Sequence, residues 1–150
     1  MKHITNKMLQ DIYEATHRAG GNMKLVNEPW MPLHCEITHY GDERQVDHAN
    51  HSARFDHLSL THYGEQNGDL MRDPEMIFIC ATSPLDSRVR FVPYYYRNDY
   101  VGRETIGIQG NTIWRSRQSD QAAFARQWLT NLRQQGFSKV IPRPELAGAG

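Results

Sequence analysis

The chain has 150 residues, enough for one compact domain with a single core. Its seventeen Lys and Arg residues balance seventeen Asp and Glu residues, which excludes a global field that attracts nucleic acid or an anionic membrane. No window approaches the run of about twenty apolar residues that a membrane span needs, and the N-terminus has no apolar signal core. We therefore expect a cytoplasmic protein.

The first predicted element is a helix over residues 4–18. Apolar residues fall there three or four positions apart, at Ile4, Met8, Ile12 and Ala15. This spacing lines one face of a helix, and Gly20-Gly21 is expected to end it. The short segment "KLVN" (24–27) before Pro29 predicts an edge strand.

The middle of the chain changes to the period of two that is typical of strands. In "MPLHCEITHY" (31–40), Met31, Leu33, Cys35 and Ile37 alternate with polar residues. The same pattern predicts strands in "FDHLSLTHY" (55–63), "EMIFICA" (75–81), "RVRFVPYYY" (88–96), "ETIGIQ" (104–109) and "TIWRS" (112–116). We expect the last two to form a tight hairpin around Gly110-Asn111.

A second helix is predicted from Ser119, which can cap it. Ala125, Trp128, Leu129 and Leu132 form its apolar stripe, Gly136 ends it, and residues 141–150 are expected to be a flexible tail. No helix is predicted between strands, which favours antiparallel pairing. The predicted fold is a single α+β domain over 1–140, an antiparallel meander sheet of five to seven strands with the N-terminal and C-terminal helices packed on one face.

Catalytic signatures are not found in the sequence. Cys35 and Cys80 lie in apolar strand segments and are expected to be buried free thiols. The polar segment 41–53 contains Asp47, His48 and His51, with His57 nearby, but in no recognised metal spacing, so we expect a solvated loop. We predict no cofactor, no metal site and no catalytic residue.

The tetrapeptide Thr-His-Tyr-Gly occurs twice, at 38–41 and 61–64. His39 and His62 each share a face with the apolar residues of their strand. A hairpin would place residue 39 opposite about 55 and residue 62 opposite about 32, which separates the histidines by roughly 23 Å. They are therefore not expected to bind one ligand.

Residues 64–75 are predicted to form a loop of about twelve residues, longer than most hairpin loops. Its oxygen-bearing side chains are Glu65, Asn67, Asp69, Asp73 and Glu75. They suit a hard cation, although their spacing fails the EF-hand pattern. A structural loop, a recognition loop and a metal-binding loop remain open at this point.

The segment 88–103 interleaves arginines with aromatic residues: Arg88, Arg90, Arg97 and Arg103 with Phe91, Tyr94, Tyr95, Tyr96 and Tyr100. Such a mixture can stack bases and follow phosphates. The same arginines can instead pair with the acidic residues of 36–75, which the balanced net charge favours.

Four segments resemble a family of small uncharacterised proteins carried by bacterial plasmids, phages and integrative elements. They are "HYGEQNGDLMRDPEM" (62–76), "NEPWMPL" (27–33), "NDYVGRE" (98–104) and "WLTNLRQQGF" (128–137). The resemblance implies an accessory gene of a mobile element and, with it, interference with a host system. It implies no catalytic residues.

We therefore predict a non-enzymatic protein-binding module whose partner is a host protein or one encoded by the same element. The predicted recognition surface comprises His62, Tyr63, Glu65, Asn67, Asp69, Asp73, Asn98, Asp99 and Tyr100. One alternative is a metal-assisted hydrolase or nuclease, in which Glu65, Asp69, Asp73 and Glu75 hold an ion with His62. The other is single-stranded nucleic-acid binding through residues 88–103.

Overall fold

Two helices cover one face of a six-stranded antiparallel sheet, and a two-stranded hairpin stands apart from it. The computed structural model describes residues 1–40, 55–83 and 85–145; the predicted loop with Asp47, His48 and His51 and the tail residues 146–150 lie outside these. The elements are α1 Lys7–Arg18, β1 Asn22–Leu25, β2 Leu33–Tyr40, β3 Phe55–Gln66, β4 Asp69–Ser83, β5 Asp86–Asn98, β6 Arg103–Ile106, β7 Ile108–Gln109, β8 Thr112–Ile113, α2 Arg115–Gln134 and a 3-10 turn Phe137–Lys139. The predicted α+β class is confirmed.

The six-stranded sheet is a meander in which each strand pairs with the next along the chain, from β1 to β6. His39 pairs with Asp56, and His62 with Leu33, one residue from the predicted register. The two histidines therefore lie at opposite ends of the β2–β3 hairpin, as predicted.

The prediction of a loop over residues 64–75 is wrong. Strands β3 and β4 run through this region and are joined by a two-residue turn at Asn67-Gly68. Both turn residues have positive φ, 53° for Asn67 and 83° for Gly68, as the hairpin turn most favoured by an Asn-Gly pair requires. The polar composition of 64–75 suggested a loop, but in a two-stranded ribbon that extends beyond the core polar side chains can point to solvent.

Helix α2 begins at Arg115, one turn before the predicted cap Ser119. Trp114 is the N-cap residue; its side chain makes no capping hydrogen bond, while its amide donates to the Gly107 carbonyl at 2.9 Å. The first turn is fixed by tertiary contacts of Gln118, which a search for capping residues does not detect. The hairpin predicted at Gly110-Asn111 is confirmed as β7–β8.

The core lies between the helices and the inner face of the sheet. Phe78, Phe91 and Phe137 are fully buried within it, beside the predicted apolar stripes of both helices. Ile141, at the start of the predicted tail, is also buried there. Cys35 and Cys80 are buried free thiols, as predicted. Burial raises the pKa of Cys35 to about 12 and that of Cys80 well above its ordinary value, so neither thiol is activated as a nucleophile.

Candidate functional site

A two-stranded arm extends beyond the rest of the sheet, and it carries four of the nine predicted recognition residues. The β2–β3 ladder ends at Leu33 and His62, and the β4–β5 ladder begins at Glu75 and Arg97. Residues 63–72, which we call the β3–β4 arm, are laddered only to each other among the described strands. Beyond Arg72, whose amide and carbonyl bond to Asp99, both edges of this short hairpin have no ladder partner among the described strands.

The two faces of the β3–β4 arm differ. Glu65 pairs directly with Leu70, so their side chains share one face, and Leu70 is 68% exposed. On the other face, the Tyr100 ring covers Gly64, where a Cβ atom would come within 2.3 Å of the Tyr100 hydroxyl. A larger residue at position 64 would displace that ring, so one face of the arm is packed at Gly64 and the other is open.

A charged network holds the base of the β3–β4 arm against the β5–β6 connection. Asp99 accepts hydrogen bonds from the Arg72 amide at 2.9 Å and from Arg97 Nε at 2.7 Å, and its own amide donates to the Arg72 carbonyl. The Arg72 amide and the Arg97 guanidinium lower the pKa of the Asp99 carboxyl. Arg72 Nε also lies 3.2 Å from Glu75 Oε1. Asp99 is therefore a brace, and its oxygens are already occupied.

Asn98 continues this brace. Its Nδ2 donates to Asp73 Oδ1 at 3.0 Å, and its Oδ1 accepts from the Tyr100 amide at 3.0 Å. Asp73 precedes Pro74 in a cis peptide bond. Of the predicted recognition residues, Asp73, Asn98 and Asp99 therefore fix the arm, whereas Glu65 and Asp69 point outward from it.

His62 lies in the core and not on the arm. It is 6% exposed, and the rings of Trp128 and Phe137 lie 5.7 Å from its own. Its Nδ1 is 3.0 Å from the Pro32 carbonyl oxygen, which only accepts, so Nδ1 carries the proton. Burial lowers the pKa of the ring, which favours the neutral form.

The buried His62 is expected to make the fold sensitive to mild acid. Its pKa is lower in the folded state, so the unfolded chain binds the extra proton first, and the free energy of unfolding falls as the pH drops below the unfolded value of about 6.5. The slope attributable to one proton is at most about 1.4 kcal/mol per pH unit. His62→Asn keeps a donor for Pro32 and should flatten the profile between pH 7.5 and 5, measured by urea unfolding.

His34 is the control for that experiment, because burial and Lys24 lower its pKa as well. His34→Asn should remove only its own smaller share of the acid sensitivity, since His34 is the less buried of the two rings. An unchanged slope in His62→Asn would contradict the prediction.

Three segments of the resemblance meet around His62. Pro32 belongs to "NEPWMPL", and Trp128 and Phe137 belong to "WLTNLRQQGF". Asn27 Nδ2 joins these two segments by donating to the Gln135 carbonyl at 2.8 Å. The fourth segment, 98–104, braces the arm. The four segments that carry the family resemblance thus lie together at one end of the sheet.

Tyr63 faces the side of the sheet away from the helices. Its ring meets that of His34 edge to face, with centroids 5.0 Å apart. Both line a polar groove of about 250 Å³, in which Ser59 Oγ donates to Glu75 Oε2 at 3.1 Å. Glu75 is thus engaged by Ser59 as well as by Arg72.

The residues of the proposed metal-assisted hydrolase do not converge. His62 is in the core, Asp73 accepts from Asn98, and Glu75 pairs with Arg72. Within residues 1–40, 55–83 and 85–145, no three His, Cys, Asp or Glu side chains are placed to hold a metal ion. The geometry therefore does not support that alternative.

The aromatic residues of 88–103 do not form one stacking platform. Phe91 is in the core, the Tyr95 hydroxyl donates to Glu104, and Tyr96 packs on Phe124. Arg90 and Arg97 pair with Asp86 and Asp99. The predicted internal pairing is therefore confirmed for Arg90 and Arg97. Their partners, however, are close in sequence and do not belong to the predicted segment 36–75.

One hydrogen-bonded cluster, centred on Asp56, was not predicted from the sequence. Asp56, at the start of β3, accepts hydrogen bonds from the Tyr13 hydroxyl at 2.5 Å, from His17 Nε2 at 2.7 Å and from His39 Nδ1 at 2.6 Å. Tyr13 and His17 lie four residues apart on α1, and His39 pairs with Asp56 across β2–β3. The four-residue spacing on α1 and the predicted β2–β3 register, taken together, could have indicated this cluster. The cluster fastens α1 to the sheet.

These features define a small α+β domain with a projecting β-hairpin arm. The chain belongs to the family described as Domain of unknown function (DUF6908), whose model matches residues 3–138. Neither the curated proteins nor the solved structures that were searched gave a match. The family assignment bears out the predicted resemblance to an uncharacterised family and supplies no catalytic residues. No described helix is long and apolar enough to span a membrane.

Proposed function

We propose that this domain is a non-enzymatic protein-binding module and that the open face of the β3–β4 arm contacts the partner. The observation that carries the proposal is the exposed Leu70 on a braced, projecting hairpin, with the outward carboxylate of Glu65 paired beside it on the same face. An exposed apolar side chain next to a charge is typical of an interface anchor.

The contacts that brace the β3–β4 arm also support this proposal, because they reduce the entropy cost of binding. Association is opposed by the entropy lost when interface residues become ordered, and a segment already fixed in its bound shape loses less. Asp99, Asn98 and Tyr100 hold the arm by its base and by its packed face. The open face is therefore presented in one conformation.

The chemistry of the arm indicates its partner. Glu65 on the open face and Asp69 beside the turn have no basic side chain within 4 Å among the described residues, so their charges are available. A complementary surface has an apolar pocket for Leu70 with Lys or Arg at its rim. The free strand edges of the arm also suit main-chain pairing. The resemblance to proteins of mobile elements favours a cytoplasmic host protein as this partner.

The test compares three tagged proteins in affinity capture from host lysate, read by quantitative mass spectrometry. The arm variant carries Glu65→Lys, Asp69→Lys and Leu70→Ser. The matched control carries the same types of change at exposed sites away from the arm, Glu14→Lys, Glu145→Lys and Leu85→Ser. We expect one partner to be retained by wild type and control and lost by the arm variant. Asp73 is left unchanged because it braces the arm.

The captured partner is then purified and titrated against each protein. The arm variant should bind at least about tenfold more weakly, equivalent to about 1.4 kcal/mol, while thermal melting followed by circular dichroism stays unchanged. Equal affinity for arm variant and control, or no specific partner of the wild type, would contradict the proposal.

A further inference from the structure

A second concave site lies away from the β3–β4 arm, between strand β6 and the first half of helix α2. Its volume is about 450 Å³, within the usual range for small-molecule pockets. It shares no residue with the arm, so it neither depends on the proposed function nor supports it.

Two arginines give this cavity its charge. Arg103 belongs to β6 and Arg117 to α2, so the two arginines line the cavity from different elements. Within the described residues, neither has a carboxylate oxygen within 4 Å. Asp120 also lines the cavity, which leaves a net charge of one positive unit. Guanidinium groups bind phosphate and carboxylate oxygens in paired geometry.

An aromatic wall stands beside the arginines. The rings of Tyr96 and Phe124 meet edge to face, with centroids 4.9 Å apart, and both line the cavity. Arg117 itself lies over the Trp114 ring, 4.9 Å from its centroid. A flat ring entering the cavity would thus meet an apolar surface next to the cationic groups.

Gln121 closes the floor of the cavity. It is 3% exposed, and its Nε2 donates to the carbonyl and hydroxyl oxygens of Thr105 at 3.0 and 3.1 Å. Its Oε1 is buried against Gly107, where an added Cβ atom would come within 2.4 Å of it. Gln121 therefore holds strand β6 against helix α2 and fixes the shape of the cavity.

We propose that this cavity binds a small planar anion, a flat aromatic ring joined to a phosphate or carboxylate group. The arginines bind the anionic group, and the Tyr96 and Phe124 wall contacts the ring. This assigns the domain a small-molecule site in addition to its protein-binding arm.

The test is calorimetric titration of the full chain with individual probes. The nucleoside monophosphates represent a phosphate source and indole-3-carboxylate a carboxylate source, with inorganic phosphate and indole as half-ligands. We expect at least one complete probe to bind more than tenfold tighter than both halves. The complete probe that binds identifies the source of the anion. No binding of any complete probe at about 1 mM, or equal binding of inorganic phosphate, would overturn the proposal.

Variants locate the binding. Arg103→Gln and Arg117→Gln should each weaken the binding probe at least tenfold, and Phe124→Leu should weaken it severalfold. Arg133→Gln, on the same helix but outside the cavity, should leave it unchanged. All four positions are exposed or partly exposed, and a thermal melt confirms folding. Equal losses in Arg117→Gln and Arg133→Gln would place the binding elsewhere and overturn the assignment.

Discussion

Asp56→Asn is expected to lower the free energy of unfolding by about 3 kcal/mol at pH 7. The carboxylate accepts from Tyr13, His17 and His39, and a hydrogen bond to a charged group contributes about 1.5–3 kcal/mol. The two histidines are substantially exposed, 44% for His17 and 62% for His39, so solvent screening reduces their share. Most of the expected loss therefore comes from Tyr13. Urea unfolding monitored by circular dichroism measures the change.

The pH dependence of the free energy of unfolding shows whether the Asp56 charge, and not only the shape of its side chain, stabilises the fold. Burial alone would raise the pKa of Asp56, but hydrogen bonds from Tyr13, His17 and His39 outweigh it and lower the pKa. The contribution of Asp56 is therefore complete above the unfolded pKa of about 3.9 and is lost as the pH falls through the lower folded value. The gap between wild type and Asp56→Asn should narrow over that range.

Asp11→Asn is the matched control for this prediction. Asp11 also belongs to α1, but it pairs with the 86%-exposed Lys7 four residues before it, an arrangement that contributes about 0.3–0.5 kcal/mol. Similar losses for the two variants, or a gap that stays constant down to low pH, would contradict the role assigned to Asp56.

The fold was predictable wherever one face of an element is buried. The apolar spacing of α1 and the alternation in β2 and β3 predicted the elements, and antiparallel geometry predicted the pairing of His39 and His62 within one residue. The 64–75 region failed because the β3–β4 arm leaves the core, so its strands lack that alternation. Asn67-Gly68 was the stronger signal there, since this pair favours two consecutive residues with positive φ.

The candidate site was predicted in part. The segment 64–75 was expected to form one surface with Asn98, Asp99 and Tyr100, and the two parts are in contact through Asp73 with Asn98 and Arg72 with Asp99; their role in recognition stays a prediction. Which polar side chains brace and which face solvent depends on tertiary contacts that no local pattern encodes. The Asp56 cluster was missed because it joins α1 to β2 and β3, so its signal appears only when the helical spacing and the strand register are combined. The β6–α2 cavity was missed because its shape depends on how the helix packs on the strand.

Helix α2 shows this limitation clearly, because the polar Gln118 is one of its buried contacts with the sheet. The side chain is 1% exposed. Its Oε1 accepts from the Lys2 amide at 2.8 Å, and its Nε2 donates to the carbonyl oxygens of Lys2 at 2.7 Å and Pro93 at 3.0 Å. One amide thus joins the N-terminal segment, strand β5 and helix α2.

Gln118→Ala is therefore expected to lower the free energy of unfolding by about 3 kcal/mol. The change leaves a cavity and deprives buried backbone groups of their partners, at about 1–3 kcal/mol for each group that water does not reach. Gln118→Leu separates the two causes, since leucine fills the space without restoring a hydrogen bond and should recover only the cavity share. Gln127→Ala, on the exposed face of the same helix, should cost at most about 0.5 kcal/mol. If Gln118→Leu restored the wild-type free energy of unfolding in full, packing alone, and not the hydrogen bonds of Gln118, would hold this end of α2 to the sheet.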